Sequence, residues 1–245
     1  MVRRFVADLH IHTCLSPCGD LEMYPERIVE MALDKKIDII GICDHNSAEN
    51  VTAVINAAKA KKLTVLPGIE VTSKEEVHIL ALFGSKEDAL KLQTIIYENL
   101  DGENDEEIFG PQVVVNETGE VLGFNNKLLI GATGLSIKRV IDLIHMLNGI
   151  AIAAHIDRES FSIIGQLGFI PEDLELDGIE ISSRITYQEA LNRFAEYWDY
   201  PFIHSSDAHF LEDIGSVTTT LLLKETSAEE IRKALRDMDG RSIIY

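Results

Sequence analysis

The sequence predicts an α/β fold whose strands close into a barrel, and two observations support this prediction. Apolar, strand-like runs alternate with segments of helical spacing from one end of the chain to the other. There are about seven such strand–helix units, and repeated units of this kind form a mostly parallel sheet that closes into a barrel. The length of 245 residues suits one such barrel or two small domains.

The elements are assigned from local pattern. Strands are predicted where short runs of Ile, Val, Leu and Phe are bounded by polar or turn residues: Phe5–Ile11, Ile37–Cys43, Leu63–Val71, Val77–Phe83, Ile150–His155, Gly178–Ser182, Phe202–Ser206 and Val217–Leu222. Helices are predicted where apolar residues recur at helical spacing, the first with proline at its start: Pro25–Lys35, Ala48–Lys61, Lys86–Leu100, Ile137–Leu147, Tyr187–Tyr197 and Ser227–Asp237.

One stretch departs from this alternation. Asp101–Glu107 is polar and acidic, and Val113–Phe124 has the pattern of a hairpin that turns at Asn116-Glu117-Thr118-Gly119. We therefore predict a single barrel domain over residues 1–245 with an insertion at Asp101–Thr133. The insertion is either a flap at the barrel mouth or an ordinary surface excursion. No Pro/Ser-rich linker indicates a second domain.

The composition limits the expected partners. The 41 acidic residues outnumber the 22 basic ones, which gives a net charge of −19, and no Lys/Arg stripe with interleaved aromatic residues is present. Such a surface repels phosphates, so we expect long nucleic acids to be disfavoured and the substrate to be small and phosphorylated. Divalent cations bound in the pocket would reverse the sign of its electrostatic field and so allow the anionic substrate to bind.

The compartment is expected to be the cytoplasm, with no membrane contact. No run approaches the roughly 18 apolar residues of a membrane span, and the residues after Met1 do not form a signal peptide. Three cysteines, Cys14, Cys18 and Cys43, form no disulfide framework and fit a reducing environment.

The histidines carry the strongest functional signal. Six of the eight are predicted at the C-terminal ends of strands or just after them, as are two carboxylates; the set is His10, His12, His45, Glu70, His78, His155, Asp207 and His209. The C-terminal strand ends of a barrel meet at one mouth, and imidazole and carboxylate are ligands for zinc, manganese or iron. One such histidine alone is usually a hydrogen-bonded core residue, but six together indicate a metal centre.

Four further polar residues lie outside this set. One is interpreted as structural, and each of the other three has both a structural and a functional interpretation. His145 lies within a predicted helix and is interpreted as a packed side chain, whereas His204 either supports the site or packs in its strand. Asp8 and Asp44 neighbour candidate ligands. They either orient the imidazoles from behind or bond the local backbone.

The chain resembles the PHP superfamily, named for its polymerase and histidinol phosphatase members. The matching pieces occur in the superfamily's order through most of the chain: Asp8-Leu9-His10-Ile11-His12-Thr13, Asp44-His45, Pro67-Gly68-Ile69-Glu70, Val77-His78-Ile79-Leu80, Ala154-His155 and Ser206-Asp207-Ala208-His209. Short pieces such as Asp44-His45 mean little alone, but the set together is specific.

The resemblance implies a distorted (β/α)7 barrel that binds two or three divalent ions (zinc, manganese or iron) and hydrolyses a small phosphate ester with a metal-activated hydroxide. By position, His10, His12, Glu70 and Asp207 would hold one ion. Glu70 would bridge to a second ion held by His78 and His155, and His45 and His209 would help to hold a third. The implied catalytic residues are Glu70, His155, Asp207 and His209.

The third ion needs one more ligand soon after the first motif, and here the chain departs from the commoner His-Thr-x-x-Ser-Asp-Gly form. It reads Thr13-Cys14-Leu15-Ser16-Pro17-Cys18-Gly19-Asp20, with extra residues before the carboxylate. Asp20 is the predicted ligand, with Glu22 and Cys18 as alternatives.

A phosphate also favours a planar cation that binds two of its oxygens. Arg158, three residues after His155, and Arg184, after the strand Gly178–Ser182, are the predicted substrate-binding residues. Three other functions stay open: an exonuclease-like hydrolase of short oligonucleotides or nucleoside bisphosphates, a non-catalytic metal- or nucleotide-binding regulatory module, and an amidohydrolase-type C–N hydrolase. The last often uses a carbamylated lysine, and no strand-end lysine is available.

Overall fold

The central strands form from the apolar runs, because residues such as Ile39–Ile42 bury their side chains on both faces of the sheet. The computed structural model describes residues 1–245. Its strands are β1 (Arg3–Ile11), β2 (Ile39–Ile42), β3 (Thr64–Thr72), β4 (His78–Leu82), β5 (Val113–Val115), β6 (Val121–Phe124), β7 (Ile150–Ala153), β8 (Gly178–Ile181), β9 (Phe202–His204), β10 (Thr219–Leu223) and β11 (Ser242–Ile244).

The helices begin at local signals in the sequence. The helix after β3 and β4 begins after Ser85, whose side chain accepts a hydrogen bond from Asp88 N–H, and another begins with a capping box of Thr186 and Glu189. The helices are α1 (Pro25–Asp34), α2 (Val51–Ala57), α3 (Lys86–Glu98), α4 (Glu106–Phe109), α5 (Ile137–Met146), α6 (Ile163–Leu167), α7 (Tyr187–Arg193) and α8 (Ala228–Leu235). None of them combines the length and apolar character that a membrane crossing requires.

Nine strands form one sheet in the order β11-β10-β1-β2-β3-β4-β7-β8-β9. A bridge between Ile11 and Ala208 brings the segment after β9 back to β1, so the sheet is a nearly closed barrel. The prediction of a TIM-like α/β barrel is therefore confirmed. On one face of the sheet, residues such as Ile42 and Ile79 pack against the helices, and on the other Leu9 and Leu80 belong to a second apolar cluster.

The sheet is less parallel than the sequence indicated. β4 runs antiparallel to both β3 and β7, and β10 runs antiparallel to β1. The prediction that His78 lies near the C-terminal end of its strand is wrong, because His78 is the first residue of β4. Since β4 is reversed, its first residue lies at the same end of the barrel as the last residues of the parallel strands.

The segment 101–133 contains α4 and the hairpin β5–β6, and it packs beside the loops that follow β1 and β2. Val113 N–H donates to the carbonyl of Cys14, at 3.2 Å, and the Asn50 side chain donates to the carbonyl of Val113, at 3.0 Å. The Asn46 side chain donates to two carbonyls further along the segment, those of Leu129 and Gly131, each at 2.8 Å. These bonds join the segment to the end of the barrel that carries His45.

Candidate metal centre

A register irregularity in β1 directs the first two histidines into the barrel mouth. The pairing of β1 with β2 shifts between Asp8 and Ile11. Leu9 therefore packs in the second apolar cluster, whereas Ile11 packs on the other face of the sheet, against the helices. His10 and His12 alternate with Ile11 and so project away from the helices, where both are fully buried.

Five imidazoles surround the carboxylate of Glu70, the only carboxylate on β3. His78 Nδ1 lies 2.8 Å from Oε1, and His45 Nδ1 lies 3.0 Å from Oε2. The other three nitrogens lie 3.1 to 3.5 Å from a Glu70 oxygen; they belong to His155, His12 and His10. Glu70 is 1% exposed, and imidazoles are its only ion-pair partners.

Asp207 forms the second carboxylate of the cluster. Its Oδ1 lies 3.1 Å from His12 Nε2, 3.3 Å from His10 Nε2 and 3.6 Å from His209 Nδ1. Its other oxygen, Oδ2, pairs with the guanidinium of Arg158. The sequence analysis expected these residues to meet at the barrel mouth. The structure brings them within contact distance although they are up to 199 positions apart in the chain.

The charges of this cluster depend on one another. Burial raises the pKa of the Glu70 carboxyl, but the imidazoles around it, His78 foremost, outweigh burial and hold that pKa well below its usual range. Burial likewise raises the pKa of Asp207, and His10 and the hydrogen bond from His12 bring it well below the usual value. Both carboxylates therefore stay ionised.

The histidines respond in different directions. Burial lowers the pKa of His10, but the neighbouring Asp207 and Glu180 outweigh it and leave that pKa well above the usual value. Burial and the charge of His209 lower the pKa of His12, and burial lowers the pKa of His78 to about 4. Some imidazoles are thus neutral at pH 7, the form in which histidine binds metal.

Two hydrogen-bond chains behind the cluster fix the ring tautomers. Ser16 Oγ donates to Asp44 Oδ1 at 2.7 Å, so it accepts from His12 Nδ1 at 2.9 Å. His10 Nδ1 donates to Glu180 Oε1 at 3.1 Å. When both rings are neutral, the proton sits on Nδ1 and Nε2 faces the carboxylates, as in metal-binding histidines.

Asp44 and Asp8 have different roles in these arrangements. Asp44 reaches His12 only through Ser16, and Asp8 bonds the backbone N–H groups of Ser206 and Gly215 at 3.0 and 2.8 Å. Burial raises the pKa of Asp8 to about 6 against those hydrogen bonds. Asp8 holds the strand end that precedes Asp207, and it touches no imidazole.

Three residues at the site have a strained backbone conformation. His155 and Asp207 have φ of +31° and +52°, and Asn46, next to His45, has φ of +51°. Side chains other than glycine rarely adopt this region, and such residues cluster at functional sites. The fold therefore holds these side chains in conformations that local preference disfavours.

The donor set fits divalent cations. Three groups of side chains have ligand atoms within 4.8 Å of one another: His10, His12 and Glu70; His45, Glu70 and His78; and His12, His45 and His209. Glu70 belongs to two groups, as a bridging carboxylate would. The buried Nδ1 atoms of His45, His78 and His155 have no well-formed hydrogen bond in the protein, and buried polar atoms are seldom left so.

The third group lies beside the loop after β1, for which the sequence analysis gave Asp20, Glu22 and Cys18 as alternative ligands. The Asp20 carboxylate accepts the N–H of Glu22 at 2.8 Å, and Glu22 faces Arg27 at 3.5 Å. Neither carboxylate is part of a ligand group. The thiol of Cys18 lies beside His45 and His209, and although burial raises the pKa of Cys18, these imidazoles lower it to about 6.

A cavity of about 420 Å³ opens next to the centre. It is lined on one side by His78 and His155 and on the other by residues that include Arg158, Arg184 and Arg193. Arg158 Nε is buried without a partner, so it has a free donor. Phe161 completes the wall; it is 39% exposed, and its ring stacks on His78 at a centroid distance of 4.8 Å.

Sequence reasoning missed Glu180, Ser16, Arg193 and Phe161. Glu180 had a readable signal, since it is a carboxylate inside the apolar strand Gly-Ile-Glu-Ile, and it is fully buried. The other three gave none, because only the fold brings them to the mouth. Of the two remaining histidines, His145 pairs with Asp177 at 2.9 Å, and His204 bonds the carbonyl of Ser182, also at 2.9 Å.

Comparison with known families and structures adds to this geometry. The family model described as the PHP domain matches residues 8–185, and the model described as PHP-associated matches residues 189–239. An uncharacterized protein of Methanocaldococcus jannaschii is 26% identical over 198 residues, which cover 77% of this chain and 88% of that protein.

Solved structures share the fold at low sequence identity. The lesion-specific endonuclease PfuEndoQ from Pyrococcus furiosus superposes with a TM-score of 0.77 at 18% identity, and the match covers 98% of this chain and 58% of that one. A candidate metal-dependent phosphoesterase from Bifidobacterium adolescentis gives a TM-score of 0.58 at 18% identity, covering 95% and 96%. The chain thus spans little more than half the length of the endonuclease.

The expectation that long nucleic acids are disfavoured is wrong. Endonuclease Q, which superposes with a TM-score of 0.74 at 17% identity over 98% of this chain and 58% of its own, was solved with a 27-mer duplex whose abasic lesion lies at its active site. Net charge is a sum over the whole surface, whereas binding depends on the local field. Here three arginines line the cavity beside the centre, together with Asp157 and Glu159, although the net charge is −19.

Proposed function

The chain belongs to the PHP domain family and has the fold of its metal-dependent phosphoesterases, and from this premise we propose that it hydrolyses phosphodiester bonds of nucleic acid at the Glu70 centre. The observation that carries the proposal is the burial of one carboxylate among five imidazoles, shared between two ligand groups. Divalent cations held by these residues would make hydroxide available at neutral pH and would neutralise charge on the phosphoryl oxygens.

The ligand roles follow from the contacts. Glu70 belongs to two ligand groups, with His10 and His12 in one and His45 and His78 in the other. Asp207 joins the cluster through His10 and His12, and His155 joins it through Glu70. This division differs from the resemblance in one respect, since His45 shares a group with His78 as well as with His209. The assignment of Asp20 as a ligand stays a prediction.

The arginines are proposed to bind the substrate's phosphates. Arg158 bridges the two parts of the site, because it pairs with Asp207 on one side and lines the cavity on the other. Arg184 and Arg193 lie further out and are exposed. A guanidinium binds two phosphoryl oxygens at once, and three of them around one cavity suit a substrate with more than one phosphate.

Phe161 supports a nucleic acid over a plain phosphate ester. Its half-exposed ring in the cavity wall offers a surface on which a base can stack, and positively charged grooves with aromatic platforms are the usual means of binding single strands. Endonuclease Q, a protein of the same fold, holds a DNA duplex as its substrate, and this likeness favours the same substrate class here.

The test is a substrate panel with the metal-loaded chain. Single-stranded and duplex oligonucleotides, with and without an abasic site, are compared with p-nitrophenyl phosphate. We expect oligonucleotide cleavage that E70Q abolishes and that F161A and R193M weaken. Turnover of the small ester alone would contradict the nucleic-acid assignment, and no turnover of any phosphoester by a fully metal-loaded chain would contradict the proposed function.

A further inference from the structure

The end of the barrel opposite the metal centre carries two cavities of its own. Strands β1, β3, β8 and β9 begin at this end, which we call the base, whereas His10 lies near the other end of β1. Helix α8 covers the base, because its Ile231 and Leu235 pack in the second apolar cluster. The helix is about 12 Å long, and one cavity lies near each of its ends: Thr226, before the helix, lines one, and Asp237, after it, lines the other.

The cavity near the start of α8, of about 470 Å³, is basic. Four exposed cations line it, and we call it the basic cavity: Arg3, Arg4, Lys61 and Lys62. No ion pair of the structure includes any of them. The one carboxylate in the lining, Asp38, accepts the N–H of Val6 at 2.8 Å. Four unpaired cations around one cavity are a concentration of positive charge in a chain with 41 acidic and 22 basic residues.

The cavity near the end of α8, of about 980 Å³, is acidic and aromatic. Three exposed carboxylates that form no ion pair line it, and we call it the acidic groove: Glu175, Asp199 and Asp237. A fourth carboxylate, that of Asp177, is paired with His145 at 2.9 Å and Arg236 at 3.1 Å. Trp198 also lines the groove and is 73% exposed. An exposed indole among unpaired carboxylates suits a cationic partner, which the ring face and the carboxylates both attract.

The basic cavity and the acidic groove complement each other in charge. A net charge of −19 repels copies of the chain from one another in most orientations, but opposite charges meet where the basic cavity of one copy faces the acidic groove of another. Because both lie at the base, a two-fold axis near α8 brings the two pairs together at once, as a self-complementary interface requires.

We propose that the chain forms a two-fold dimer through the base of the barrel. The basic cavity of each copy lies against the acidic groove of the other, with a cation of one copy over the indole of Trp198 in the other. The inference goes beyond the proposed function and does not depend on it, because the base lies at the end opposite the metal centre and both barrel mouths stay open in such a dimer.

The test compares two charge-reversed variants of the full chain by sedimentation velocity. R4E/K61E/K62E makes the basic cavity acidic, and E175K/D199K/D237K makes the acidic groove basic. We expect the wild type to sediment as a dimer and each variant alone as a monomer, because like charges then face each other across the interface. An equimolar mixture of the two variants should sediment as a dimer again, since opposite charges meet at both contacts, and this recovery also shows that both variants are folded.

Trp198 gives a second measurement, because it is the only tryptophan of the chain. Its fluorescence emission should move to shorter wavelength as the protein concentration rises and the dimer forms. W198A should raise the dissociation constant of the dimer by about 30-fold, the scale of an aromatic residue at the centre of an interface. L122A is the matched control and should leave this constant unchanged, since Leu122 is 68% exposed but lies on β6, in the segment that packs at the barrel mouth.

The proposal is overturned if the wild type stays monomeric up to roughly 100 μM, above the dissociation constants of ordinary stable interfaces, if the charge-reversed variants still form dimers, or if their mixture stays monomeric. Species larger than a dimer would also overturn it, because they indicate a head-to-tail contact in place of the two-fold axis. A monomer whose Trp198 emission shifts on addition of a tetra-arginine peptide would assign the acidic groove to a different, basic protein, and the dimer would be wrong.

Discussion

Glu70 at the barrel mouth and Glu230 in α8 are both buried carboxylates with a lowered pKa, but their partners differ. Glu230 accepts two bonds from Arg241, Nε to Oε2 at 2.9 Å and Nη2 to Oε1 at 2.7 Å, and these bonds lower its pKa to about 2 against burial. Glu70 has no arginine or lysine within ion-pair distance and is surrounded by imidazoles.

This difference separates a structural ion pair from a ligand set. The guanidinium of Arg241 carries a permanent charge and has no lone pair to offer, so the Glu230 pair is complete in the protein alone. Each imidazole around Glu70 can lose its proton and present a lone pair to a cation. The same burial of a carboxylate therefore stabilises the fold in one place and prepares a metal centre in the other.

The largest expected effect comes from exchanging each glutamate for its amide. E70Q should lower phosphoester turnover by more than about 10²-fold and reduce metal content, because loss of even an outer partner of a metal ligand costs 10–100-fold. E230Q should keep both. Metal analysis and initial rates on the two purified variants check this, and full activity in E70Q would erase the distinction between the regions.

A smaller effect is expected at Glu180, which contacts no proposed cation directly. Its Oε1 accepts from His10 Nδ1 at 3.1 Å and from His155 N–H at 3.2 Å. E180Q should weaken metal binding by roughly 10–100-fold through loss of this orientation, measured by competition with a chelating dye. E230Q again serves as the buried-glutamate control, and an unchanged affinity in E180Q would show that Glu180 has no positioning role.

The cavity arginines give a test of substrate binding. R193M should raise KM for an oligonucleotide by about tenfold with little change in kcat, since one charge-assisted contact contributes on the order of 1.5 kcal/mol. R139M is the matched control, because Arg139 is exposed on α5 and does not line this cavity. A fall in kcat without a change in KM would place Arg193 outside the binding surface.

The smallest effect concerns stability and pH. E230Q should lower Tm by roughly 2–4 °C at neutral pH, the scale of one partly buried ion pair in a chain of this length. The folded pKa of Glu230, about 2, lies below the ordinary 4.5. The pair therefore stabilises fully above pH 4.5, and its contribution is lost as the pH falls towards 2. Thermal melts across this range should show the two curves converging; a constant gap would mean that the charge contributes nothing.

Much of the fold was readable in the sequence because the strands are short apolar runs and the helices begin at local caps. Helix α1 was predicted as Pro25–Lys35 and spans Pro25–Asp34. The direction of β4 was not readable, since an apolar strand has the same pattern whichever way it runs. β11 was missed because its three residues are only partly buried.

The candidate site shows the same division. His10, His12 and Glu70 could be predicted because strand ends meet at one mouth, and their clustering needs no detail of the loops. Arg193 and Phe161 reach that mouth from α7 and from the loop before α6, and no spacing rule relates them to a strand end. Net charge misled for a similar reason, because it averages over the surface and ignores where the arginines lie.

The measurement that tests the central claim most directly is anomalous X-ray diffraction from crystals of the zinc-loaded protein, recorded on both sides of the zinc absorption edge. The account predicts two anomalous peaks, one on each side of the Glu70 carboxylate, within bonding distance of the surrounding imidazoles, and none at Glu230. Clear density for the side chains with no anomalous peak beside Glu70 would contradict it.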